Sequence, residues 1–141
     1  MADLIRFGVS VEEDLLNSFD QLTETKGGLN RSEAIRDLMR DALIRNRFDS
    51  QPESEAIGSL TLVYDHHTTG LLNEMSGIQH RFHDNILSVM HLHVSHDDCL
   101  EIIAFRGHAD KLIDLSNSLL SLKGIKNGKL FLTLPSSEII G

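Results

Sequence analysis

Hydrophobic and polar positions alternate at the start of the chain. Ile5, Phe7, Val9 and Val11 fall on one side, and Arg6, Gly8 and Ser10 on the other. A period of two predicts a half-buried strand. Ser10 followed by Glu13 reads as a capping box, so a helix is expected to open there. Leu15, Leu16, Phe19 and Leu22 then recur at helical spacing until Gly27-Gly28 stops the run. Asn30 with Glu33 forms a second capping box, and Ile35, Leu38, Met39 and Ala42 make the apolar stripe of a second helix. One strand cannot form a sheet, and two helices with an orphan strand make a poor core. A homodimer whose two strands pair as a ribbon resolves both problems, with Arg6, Gly8 and Ser10 pointing outward.

The polar stretch around Pro52 reads as a hinge. Beyond it the pattern predicts a strand over 57–64, a helix over 68–84 and strands over 86–94 and 99–105. A tight turn at His96-Asp97-Asp98 joins those two strands. A helix over 108–122 and a last strand over 128–134 complete the chain. The order β-α-β-β-α-β is the ferredoxin-like split pattern. The expected fold is therefore α+β. The expected domains are 1–50, a linker at 51–56, and 57–141.

Composition narrows the partners. Thirteen Lys and Arg against 21 Asp and Glu give a formal charge of −8. Residues 1–50 hold seven basic and ten acidic groups, so no basic domain is hidden there. A general basic coat for nucleic acid is excluded, as is an anionic-membrane binder. A lone cysteine gives no disulfide framework. The N-terminus has neither a basic n-region nor a long apolar stretch, and a cytoplasmic location is expected.

A two-stranded ribbon fits the DNA major groove. Arg6 suits two-pronged contact with a guanine edge, Ser10 donates or accepts at most bases, and Gly8 allows close approach. The opening of the second helix at Asn30, Arg31 and Ser32 offers backbone N–H groups to phosphate, with Arg36 one turn on. The same residues also fit a plainer description, as solvated strand positions and an ordinary helix cap.

All eight histidines and the single cysteine follow residue 65. His91 and His93, two apart on a strand, share a face. Cys99 returns beside them across the turn. Imidazole plus thiolate suits Ni, Cu, Zn and Co rather than Mg or Ca. Cys99 alone would be an ordinary small core residue; the trio points to metal. His80, His83 and His96 are the candidates for a fourth ligand. No hydrolase motif such as HExxH accompanies the cluster, so an enzyme is not expected.

The run N-R-S-E-A-I-R-D at 30–37 resembles the second-helix opening of ribbon-helix-helix repressors. With L-H-V from Leu92 and H-D-D-C-L-E-I at 96–102, residues 5–134 resemble the nickel-responsive regulators, the NikR family. The resemblance implies a DNA-reading ribbon and an ACT-like domain that builds a homotetramer, a dimer of dimers. It implies one Ni(II) per subunit in a square-planar site, with His91, His93 and Cys99 from one subunit and His80 from its neighbour. Tyr64, His66, Gln79 and Glu101 fall where the family has groups supporting the ligands. Glu33 and Asp37 match a secondary cation site. The implied function is a repressor binding a palindromic double-stranded operator when nickel is present, with no membrane role. A nickel or copper chaperone, or a metal buffer, is the alternative. Gly8 departs from the polar residue usual on the ribbon. Thr68-Thr69 replaces basic residues that touch DNA backbone in some members.

Overall fold

The computed structural model describes residues 3–28 and 30–138. It divides into two compact units, one within residues 1–45 and one spanning Asn46–Glu138. The last three residues of the expected domain 57–141 lie outside the described residues.

The first unit contains helix α1 (Glu13–Thr25) and the beginning of α2 (Arg31–Ser50). Residues 3–12 precede them without regular secondary structure. The strand expected at residues 5–11 is therefore not formed within one chain. The reason is physical: a strand is defined by its ladder, and one chain offers this segment no second strand. The first predicted cap is also corrected. Ser10 caps nothing; the N-cap is Glu12, in extended conformation and without a side-chain hydrogen bond. The first helical bond runs from the Leu16 N–H to the Glu12 carbonyl at 3.1 Å. Glu13 and Asp14 in the first turn complement the helix dipole instead. Gly27 and Gly28, at φ of +89° and +75°, end α1 as expected. The second cap holds, since Asn30 Oδ1 accepts the Glu33 N–H at 2.9 Å.

The second unit is the expected α+β domain. Strand β1 (Glu55–Tyr64) leads into α3 (Leu71–Arg81), and β2 (Ile86–His93) and β3 (Cys99–His108) form a hairpin. Helix α4 (Ala109–Leu120) and β4 (Ile125–Thr133) follow. The sheet runs β2-β3-β1-β4, with every neighbouring pair antiparallel. Alternate residues of the central strands face the helices. Leu60, Leu62 and Tyr64 from β1 and Ile103 and Phe105 from β3 are fully buried. Leu71, Met75 and Ile78 of α3 and Leu112, Leu115 and Leu119 of α4 close the core. The opposite sheet face keeps Met90, Leu92 and Phe131 exposed. No described helix is long and apolar enough to cross a membrane.

Within the stretch expected as a linker, Glu55 and Ala56 already belong to β1. The Pro52 and Ser54 carbonyls accept the N–H groups of Asp110 and Ala109, both at 2.9 Å. This segment thus satisfies two of the donors that the start of α4 leaves over.

Gly58 is needed for space, not for an unusual φ. A Cβ there would strike the backbone carbonyl of Phe131 on β4. Backbone cannot rotate away as a side chain can. Gly58→Ala should therefore destabilise the domain by about 1–3 kcal/mol through overpacking. Urea unfolding checks this, and an unchanged midpoint would show that the sheet accommodates the methyl group.

Candidate metal centre and nucleic-acid interface

The β2–β3 turn sets the geometry of the centre. The Val94 and Ser95 N–H groups donate to the Asp98 carbonyl at 3.0 and 3.2 Å, and the Asp98 N–H donates to Ser95 Oγ at 3.2 Å. The resulting register places His93 opposite Cys99 and His91 opposite Glu101. On the other side of β3, Tyr64 is paired with Cys99. The chain leaving β1 therefore carries His66 to the same sulfur. Cys99 Sγ lies 3.3 Å from His66 Nδ1 and 3.4 Å from His93 Nδ1. The His66, His93 and Cys99 ligand atoms lie within 4.8 Å of one another. Two imidazoles and a thiol form a donor set that fits a late divalent metal.

His91 stands beside this group, its ring centroid 5.3 Å from that of His93. Tyr64 Oη lies 3.0 Å from His91 Nδ1 and Glu101 Oε1 lies 3.8 Å from it. With oxygens facing Nδ1, Nε2 is the nitrogen left for a ligand. Gln79 Nε2 donates to the other Glu101 oxygen at 2.9 Å and so ties α3 to β3. Burial pushes the Tyr64 phenol up to about 12, with the Glu101 and Cys99 charges adding to it. Burial also raises Glu101, against the opposing pull of Gln79 and His91.

Of the four expected ligands, the structure brings His93 and Cys99 together and sets His91 next to them. His80 lies in the last turn of α3, its ring stacked on His83 at 5.7 Å, outside the cluster around Cys99. Sequence spacing did not show His66 as a neighbour of the sulfur, because 33 residues separate the two. The usable signal was that β1 ends two residues before His66.

Cys99 carries a pH prediction. Burial raises its thiol, and Asp65, Asp98 and Glu101 raise it further. A raised pKa keeps the proton on at neutral pH, and that proton must leave when sulfur binds a metal. Nickel affinity should fall about tenfold for each unit of acidification, the limit for release of one proton. Isothermal titration with Ni(II) at several pH values checks this. An affinity flat between pH 6 and 8 would mean that the thiol is not a ligand.

In the N-terminal unit, Arg6, Gly8 and Ser10 are exposed. Ser32 and Arg36 are also exposed, on the first turns of α2. The Arg31 guanidinium has a partner that the sequence did not reveal. It grips Asp20 with two nitrogens, at 3.1 and 2.7 Å, linking α2 to α1 and lowering the Asp20 pKa. Glu33 is half-buried, while Asp37 is exposed and pairs with Arg40 at 3.1 Å.

Residues 57–133 match the family described as NikR C terminal nickel binding domain. Residues 5–46 match the family described as ribbon-helix-helix protein, copG family. Full-length similarity extends to a protein of Solibacter usitatus, 45% identical over 139 residues and covering 99% of both chains. A Geobacter sulfurreducens protein gives the same identity and coverage. One from Thermococcus onnurineus is 41% identical, covering 97% of this chain and 99% of its own. All three are provisionally named nickel-responsive regulators. An uncharacterized protein from Thermotoga maritima shares the fold of part of the chain. It is 18% identical with a TM-score of 0.51, covering 56% of this chain and 98% of its own.

Proposed function

Because this chain belongs to the nickel-responsive regulator family, whose members are transcriptional regulators and not enzymes, we propose that it is a cytoplasmic repressor. In this reading it binds a palindromic operator when Ni(II) is present. The observation that carries the proposal is the meeting of Cys99 with His66 and His93 at one end of the sheet, with His91 beside them.

His91, His93 and Cys99 of one subunit hold the metal together with the partner subunit's His80, one Ni(II) per subunit. Tyr64 and Glu101 orient the His91 ring, Gln79 holds Glu101, and His66 stands against the thiol. Bound nickel would supply a bond across the subunit boundary. A ligand shifts an equilibrium only by its different affinity for the two states, and a divided ligand set provides that difference. The subunits form a homotetramer, a dimer of dimers.

The N-terminal unit supports pairing as well. Ile5, Phe7 and Val9 are 86%, 64% and 66% exposed, and Leu38 and Met39 are more than half exposed. These are the positions whose pattern calls for burial. Pairing two copies of residues 5–11 would cover them and turn Arg6 and Ser10 toward bases. Asn30, Arg31 and Ser32 bring the α2 N-terminus to phosphate through backbone amides, while the Arg31 side chain keeps α1 in place. Arg36 adds charge. Glu33 and Asp37 take a secondary cation that supports the DNA-bound form.

A mobility-shift assay on the DNA upstream of the protein's own gene, with and without Ni(II), tests the proposal. Retardation that requires nickel is expected. Nickel uptake without any metal-dependent shift would overturn it in favour of a metal buffer.

A further inference from the structure

A second histidine cluster adjoins the first through His66 and His67 but shares no ligand with the Cys99 group. His67 follows His66, but its ring faces the β2–β3 turn. There the ligand atoms of His67, His96 and Asp97 lie within 4.8 Å of one another. His67 Nε2 is 3.9 Å from Asp97 Oδ1, and the His67 and His96 rings are 5.0 Å apart. We propose that His67, His96 and Asp97 form a separate, solvent-open site for a divalent transition metal.

Geometry supports this. Two ligands about 2.0–2.2 Å from one ion can stand up to about 4.2 Å apart. The His67–Asp97 separation already meets that limit, and the widest pair needs only a small side-chain adjustment. The loop is held in place beforehand. The His67 N–H donates to Asp65 Oδ1 at 2.9 Å, and the His67 ring lies against His66 with centroids 4.0 Å apart. His67 Nε2 donates to the His96 carbonyl oxygen at 3.1 Å, a hydrogen bond that turns the ring toward the turn and that a metal bound at this nitrogen would replace. Charge supports it too. Asp65, Asp97 and Asp98 gather at this end of the sheet, and the nearby cation Lys126 is engaged with Asp98 at 2.5 Å.

Two imidazoles and one carboxylate suit Ni(II), Zn(II) and Co(II). His67, His96 and Asp97 are exposed, so water completes the coordination and exchange is fast. This site lacks sulfur, which separates its signature from that of Cys99.

The test is equilibrium dialysis of the full chain against Ni(II), with metal content and sulfur-to-nickel absorption measured on the same samples. Wild type should hold about two nickel ions per chain. His67→Ala with Asp97→Asn should lose the weaker ion and keep the absorption band. Cys99→Ala should lose the band and keep the weaker ion. Equal metal content in wild type and the His67/Asp97 variant would overturn the proposal, as would a Cys99→Ala chain that takes up no nickel. The band reports on Cys99 alone, so the two sites fail separately.

Discussion

Cys99→Ala is expected to abolish nickel-dependent DNA binding while leaving the fold in place. The sulfur is the atom on which His66 and His93 converge. Without it the cluster keeps only imidazoles, and the anionic ligand is gone. Alanine removes a single heavy atom from a buried site, so the cost in stability should be about 1 kcal/mol. Thermal unfolding of the metal-free variant should therefore stay near wild type, whereas the nickel-dependent mobility shift disappears. Cys99→Ser should fail similarly, because a hydroxyl does not ionise as a thiol does. A Cys99→Ala protein with wild-type, nickel-dependent retardation would sink the proposed mechanism.

The second large effect is expected at Arg6. A guanidinium forked onto a guanine edge contributes about 1–3 kcal/mol of discrimination. One lost contact is then worth about 5- to 150-fold in affinity. Each paired ribbon carries two copies, so Arg6→Ala compounds the loss. Nickel uptake should not change, because Arg6 belongs to the other compact unit. Arg6→Lys separates charge from shape, since lysine keeps the charge without the fork. It should preserve much of the salt dependence of binding and lose sequence preference. Operator affinity within threefold of wild type for Arg6→Ala would show that the ribbon does not read bases through this residue.

Legibility in the sequence followed the range of the interactions. The Asn30 cap, the glycine stop at 27–28 and the β2–β3 turn depend on residues a few positions apart, and local pattern exposes them. Burial along β1 and α4 was also readable, because one face of each must meet the core. Ser10 was misread because a capping box is a short motif that any extended polar segment can mimic. The pairs Arg31–Asp20 and Gln79–Glu101 were not readable as contacts, since each depends on how separate elements pack. The approach of His66 to Cys99 depends on the β1–β3 register, a long-range property. The strand at 5–11 shows a different limit. Its pattern is legible, but the ladder that would realise it is not encoded in a single copy.

The exposed apolar residues of the N-terminal unit set a further condition. The sheet domain closes its core with its own helices, within one chain. In the proposed dimer, the exposed Ile5, Phe7 and Val9 are covered by meeting another copy, so association and consolidation of the reading head are one event. Mass action then governs this half of the molecule. A cell holding few copies would leave much of the population without a finished reading head, however much nickel it contains. The protein's own abundance is thus a second input to its response, set by these apolar residues rather than the histidines.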